Sequence, residues 1–221
     1  HAGKQARRTL VTLEEARRNR LAIDWKDGSL PVPAHQGIQV FADYSIEELM
    51  AYIDWSPFFN AWQLAGQYPG ILQDPVVGET ASNLYRDACT MLHQIADMQM
   101  LRASGIVGLF PANSVGDDIE VYSDQSRSER LTVIHTLRQQ MEKPPGRPNM
   151  SLADFVAPKE SGLADHIGMF AVTTGLGIEE VLQDFEAAND DYHSIMLKAL
   201  ADRLAEAFAE RMHERVRKEL W

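Results

Sequence analysis

Cysteine is almost absent from this 221-residue chain: Cys89 stands alone, which excludes an internal disulfide framework and any CxxC metal knuckle. Long apolar runs are missing as well. No stretch approaches the roughly 20 residues needed to span a bilayer. The start, His1-Ala2-Gly3-Lys4-Gln5-Ala6-Arg7-Arg8, lacks the apolar stretch of a signal peptide. The histidines are scattered, with no HExxH and no helical pair three or four apart, so no zinc site is expected. Basic residues are in deficit, 21 against 32 acids, and the net charge of −11 argues against general nucleic-acid binding, which phosphate neutralisation drives. An acidic surface suits a cationic ligand or a basic partner, and it equally serves solubility. Internal repeats and low-complexity tracts are also lacking. These absences point to a cytoplasmic chain in a reducing compartment, without a membrane or nucleic-acid partner.

What is present is a helical first part followed by short strands. Residues 7–23 carry Leu10, Leu13, Ala16 and Leu21 at helical spacing. Asp27-Gly28-Ser29 and Pro31-Val32-Pro33 then read as an extended linker, and residues 37–44 as a strand. Ser45 with Glu48 predicts a capping box, opening a helix that runs on through Tyr52 and Ile53 and stops before Pro57. A second short helix is expected from Pro57, and a longer one within residues 74–102, along the row Ala81, Leu84, Tyr85, Ala88, Met91, Leu92, Ile95 and Met98. From Gly105 the pattern turns to strands at 106–110, 119–122, 131–136 and 167–173. The first connections are too short for parallel crossovers, which favours an antiparallel or mixed sheet. The segment 144–148, Pro-Pro-Gly-Arg-Pro, is an exposed loop. Asn189 is the expected cap of a last helix, in which Met196, Leu200, Leu204, Phe208, Met212, Val216 and Leu220 recur at four-residue steps. Such a row advances about 40° per step and winds around the axis, suiting crossing contacts. That helix meets no Gly, Asn or Pro stop before Trp221, so the chain is expected to be C-terminally truncated. The fold class is α+β, in three stretches: 1–36, an N-terminal helix and linker; 37–104, mainly helical; and 105–221, the sheet and the long C-terminal helix.

Several patterns resemble sites and have plainer explanations. Gly175-Leu176-Gly177 between a strand and a helix lacks the third glycine of a dinucleotide fingerprint, since Glu180 stands there, and reads as a turn. Gly116-Asp117-Asp118 reads as a hairpin turn, and Cys89 falls at or near a core stripe. There is no Asp-x-His-x-x-Gly stretch, so the chain does not supply a lower axial histidine to a corrin.

Two constellations remain. In residues 53–62 two tryptophans and two phenylalanines surround Asp54 at a helix end; the acid either caps the next helix or meets a cation. On the last helix Asp202, Glu206 and His213 fall within about 40° of one another, with Glu210 at the edge of the stripe. Such a stripe is either a solvated face balanced by Arg203, Arg211, Arg215 and Arg217, or a surface that attracts a cationic ligand.

A resemblance bears on that choice. Asp54-Trp55-Ser56-Pro57-Phe58-Phe59 resembles the start of the activation domain of cobalamin-dependent methionine synthases. So do, in order, Gly108-Leu109-Phe110-Pro111-Ala112-Asn113, Val115-Gly116-Asp117-Asp118-Ile119, Leu152-Ala153-Asp154-Phe155-Val156-Ala157-Pro158-Lys159, and residues 198–207. The resemblance implies a C-shaped α+β domain with a twisted antiparallel sheet. It implies S-adenosylmethionine as methyl donor for reductive methylation of cob(II)alamin to methylcobalamin, in methionine biosynthesis. Cobalamin would be held mainly by a separate module of the same enzyme, zinc only in another module, and flavodoxin or a flavoprotein reductase would supply the electron. Asp54 matches the family's acid for the amino end of S-adenosylmethionine, Glu206 matches an acid facing the ligand, and Asp202 is a candidate for docking the cobalamin module. No residue is assigned as catalytic. The family continues past the matching tryptophan into an Arg-x-x-x-Gly-Tyr-Pro segment that binds the ligand carboxylate, so the chain alone is expected to hold half a site and to be inactive. A non-catalytic docking module for the cobalamin domain or the electron donor is the alternative.

Overall fold

A computed structural model describes residues 9–25 and 30–221. Part of the expected linker, Asp27-Gly28-Ser29, lies outside the described residues, as do the first residues of the expected helix 7–23. The fold is α+β, with antiparallel strand pairs and helices, as the sequence predicts. In chain order the elements are α1 (Leu13–Arg18), β1 (Gly37–Tyr44), α2 (Ile46–Met50), α3 (Trp55–Ala61), α4 (Gly78–Asp97), β2 (Arg102–Val115), β3 (Asp118–Tyr122), β4 (Arg130–His135), β5 (Asp165–Leu176), α5 (Ile178–Ala187) and α6 (Asp191–Arg215). Hydrogen bonding orders four strands β1-β2-β3-β4, and β5 also pairs with β2. Among the described residues no helix is long and apolar enough to cross a membrane.

The chain divides into two compact units. One comprises residues 1–37, 108–169 and 221; the other comprises 38–107 and 170–220. The three stretches delimited from sequence follow local character, whereas these units follow packing, and strands β2 and β5 each run from one unit into the other.

The first unit holds a small apolar cluster of Ala112, Ile119, Ala153 and Val156, with Ile134 and Ile167 packed against it. So modest a core leans on buried polar bonding. The Arg138 side chain is 1% exposed and donates to Asp117 at 2.8 Å, to both oxygens of Asp154, and to the Asn149 carbonyl. Asn149, the residue of a sequon-like triplet, is itself buried and donates to the carbonyls of Gln139 and Met141. Asp117, in the β2–β3 turn, also accepts from Arg17, so the aspartates of that turn serve cohesion. Gly116 there has φ +63, which a side chain adopts with strain.

The expected helix at 7–23 is shorter, Leu13–Arg18, because Thr12 and Glu15 form a capping box that starts it late. Residues 9–11 are extended instead: Leu10 bridges Met141, and Val11 N–H donates to the Gln140 carbonyl at 2.9 Å.

The second unit is built on α6, against which α2, α3, α4 and α5 pack. Met196, Leu200, Leu204, Phe208, Met212 and Leu220, six of the predicted row, are buried. The helix is capped by Asp190, which accepts from His193 N–H at 3.1 Å, and not by Asn189, whose φ of +55 places it in the left-handed turn before the cap. At its far end the helix widens to a π turn over Val216–Leu220. Ser45 caps α2 as expected, but the reciprocal half of the capping box is missing, because the Glu48 carboxylate is taken by Tyr44 and Arg211. Helix α2 stops at Met50, earlier than predicted, and Tyr52 and Ile53 lie in the turn after it.

Cutting the Arg138 fork leaves two carboxylates, 12% and 5% exposed, without their main cation. Arg138→Met is expected to lower stability by about 3 kcal/mol in urea unfolding, the scale for breaking a buried pair. Asp117 and Asp154 are desolvated by burial, yet hydrogen bonds and charge from Arg138, with Arg17 on Asp117, hold both carboxyls below their ordinary range. A depressed folded-state value stabilises above the unfolded value, and that contribution is lost as pH falls through the folded one. The wild type should therefore lose more stability than Asp154→Asn on acidification from about pH 5 to pH 3.

Candidate functional site

Helix α3 begins at Trp55, two residues before the expected start at Pro57. Asp54 is its N-cap and accepts the Ser56 N–H at 3.0 Å. Pro57 is thereby placed in the first helical turn, where its missing N–H is not needed. Trp55, Phe58 and Phe59 are buried, 8%, 1% and 0% exposed, and their rings meet edge to face, Trp55–Phe58 at 5.4 Å and Phe58–Phe59 at 5.7 Å. Tyr85 joins from α4, 4.7 Å from Trp55. Asp54 itself is exposed. The acid amid aromatics is therefore not a buried charge, because the helix turns the rings inward and leaves the cap outside. The cap occupies Asp54 Oδ1, and among the described residues Oδ2 has no partner.

The acidic stripe of α6 is also where the periodicity predicts it. Asp202, Glu206, Glu210 and His213 are all exposed, and the side chains of Asp202 and Glu206 are each 70% exposed. Of the four arginines that could balance the stripe, Arg203 alone reaches these acids among the described residues, at 2.6 Å from Asp202 and 3.9 Å from Glu206. Arg211 turns to Glu48 and Glu214, and Arg215 to Glu219. His213 packs its ring edge to face with Phe170, 4.9 Å between centroids. No hydrogen bond or ion pair joins Asp54 to Asp202 or Glu206 among the described residues, although α3 and α6 pack together.

Two other acids of this unit, Glu214 and Glu48, are already committed to partners. Glu214 accepts from Lys218 and Tyr52, which hold its carboxyl down to about 2. Burial opposes ionisation of Glu48, but hydrogen bonds from Arg211 and Tyr44 outweigh it and set the carboxyl below its usual range. Glu48 and Arg211 lie 163 residues apart, and no local spacing predicts such a pair. Asp54 and Glu206, in contrast, keep carboxylate oxygens without a hydrogen bond among the described residues.

The GxG segment is a turn. Strand β5 runs to Leu176, and Gly177, with φ +95, is the N-cap of α5. Burial raises the Cys89 thiol above its ordinary value, against the activation a nucleophile needs.

A model of the family described as vitamin B12 dependent methionine synthase, activation domain, matches residues 45–221. Among solved structures, the chain is similar to one described as the crystal structure of the MetH reactivation domain bound to AdoHcy. The TM-score is 0.92 at 56% sequence identity, covering 96% of this chain and 65% of that one.

Because Asn caps a helix about as well as Asp, the cap can be tested apart from the charge of Asp54. Asp54→Ala is expected to cost about 1 kcal/mol in denaturant unfolding, while Asp54→Asn changes it by only a few tenths.

Proposed function

The chain belongs to the activation-domain family of vitamin B12 dependent methionine synthases, and we propose that it binds S-adenosylmethionine and presents the methyl group to that enzyme's cobalamin for reductive reactivation. The observation that carries this reading is the 56% identity, over 96% of the chain, to a reactivation domain bound to AdoHcy. The charges agree with it. S-adenosylmethionine has a positive amino group and a positive sulfonium, and the second unit offers two acids with free oxygens, Asp54 at the head of α3 and Glu206 on α6. Asp54 would receive the amino group on Oδ2 while Oδ1 keeps the cap. Glu206 would face the ligand's positive charge, its 3.9 Å contact with Arg203 being of the exposed kind that contributes about 0–1 kcal/mol. Asp202 would serve docking of the cobalamin module.

Cobalamin, bound mainly by its own module, supplies the cobalt that accepts the methyl group, and flavodoxin or a flavoprotein reductase supplies the electron. The work of this chain is orientation: fixing a donor at the attack distance converts an encounter between two molecules into a step within one assembly. Alone it has a donor site and no acceptor, so it would be inactive without its partner modules.

Calorimetric titration with S-adenosylmethionine and with S-adenosylhomocysteine tests this. Asp54→Asn should weaken binding by about tenfold or more, the scale of a hydrogen bond to a charged group. Glu206→Gln should weaken S-adenosylmethionine more than the uncharged thioether. Equal affinity of wild type and Asp54→Asn contradicts the assignment, and absence of binding by the chain and by longer family members would favour the docking role.

A further inference from the structure

Helices α3, α4 and α6 border a cavity of about 260 Å3 in the second unit, walled by Trp62, Leu64, Asn83, Leu84, Asp87 and Tyr192. It is separate from Asp54, Asp202 and Glu206, none of which lines it. The Trp62 and Tyr192 rings stand 5.3 Å apart at 60° and form an aromatic corner. The Tyr192 hydroxyl donates to Asp87 Oδ2 at 2.7 Å, and Oδ1 is without a partner among the described residues. Burial and that acceptor push the Tyr192 phenol up to about 12, so it stays a hydrogen-bond donor. The Trp62 indole Nε1 is buried and has no hydrogen-bond partner.

No lysine, arginine or histidine lines the cavity. Aromatic faces attract cations, and a carboxylate beside them reinforces the preference. An anion would meet Asp87, and a wholly apolar ligand would desolvate that acid without compensation. The volume, below the roughly 300–1,000 Å3 of drug-sized sites, suits one side chain.

We propose that this pocket binds a side-chain-sized organic cation, an alkyl guanidinium or ammonium, the chemistry of a basic amino acid's side chain, free or within a polypeptide. The cation lies in the corner of Trp62 and Tyr192 beside Asp87. Unlike the methyl-donor site, it does not depend on Asp54 or Glu206.

The test follows the Trp62 indole resonance of the 15N-labelled chain, assigned with Trp62→Phe, during titration at fixed ionic strength. Free arginine, N-acetyl-arginine methylamide and ethylguanidinium chloride are the probes. A saturable shift with half-saturation in the millimolar range is expected for at least one arginine compound and for ethylguanidinium, which carries the same cation. Free arginine binding more tightly assigns the site to a metabolite; the blocked form binding more tightly assigns it to a polypeptide. Asp87→Asn, an exposed position that folding should tolerate, is expected to weaken binding about fivefold. A shift that stays linear with every probe, saturation unchanged by Asp87→Asn, or displacement by S-adenosylhomocysteine would overturn the proposal. Loss of S-adenosylmethionine binding in Asp54→Asn, with the arginine titration intact, would show the two sites to be distinct.

Discussion

Helix α6 has to bury side chains on a winding face, and the second unit is arranged to meet that demand. Its apolar residues recur every fourth position, so the buried stripe turns around the axis and has to be covered by more than one neighbour. Helices α2, α3, α4 and α5 supply that cover. Strand β2 also comes close, where a side chain at Gly105 would meet the Phe208 ring at 2.8 Å and Val172 at 3.3 Å. A fully buried Leu, Met or Phe contributes about 1.5–3 kcal/mol, and Met196, Leu200, Leu204, Phe208 and Met212 are all 0% exposed. What the winding burial leaves free is one polar stripe, and there Asp202, Glu206 and Glu210 stand in solvent.

The same economy operates at Asp54. A helix needs a cap, and a carboxylate has two oxygens; one satisfies the Ser56 N–H and the other remains available. The buried aromatic face of α3 fixes where that second oxygen lies. Glu48 of α2 and Glu214 of α6, by contrast, are paired with Arg211.

Much of this was legible in sequence, and the failures share a cause. Strand β1 is found at residues 37–44, and α4 buries Ala81, Leu84, Ala88, Met91, Leu92 and Ile95, because periodicity reports a face directly. Met98, the last of that row, is 72% exposed, since the helix ends one residue before it. Boundaries failed where a cap residue competed with a stronger neighbour: Asp190 displaced Asn189, and Asp54 started α3 before Pro57. The Glu48 half of the capping box was lost to an arginine 163 residues away. The aromatic pocket was equally hidden, because Trp62, Asp87 and Tyr192 come from three helices and no local spacing unites them. Asp54 and Glu206 were singled out by a family resemblance, since composition alone left each between a structural and a functional role.

The most direct measurement of the central claim is a crystal structure of this chain with S-adenosylhomocysteine. The account predicts the ligand's amino nitrogen within hydrogen-bond distance of Asp54 Oδ2, about 2.7–3.2 Å, with the Ser56 N–H still on Oδ1. A ligand whose amino group lies away from Asp54, with that carboxylate unchanged, would contradict it.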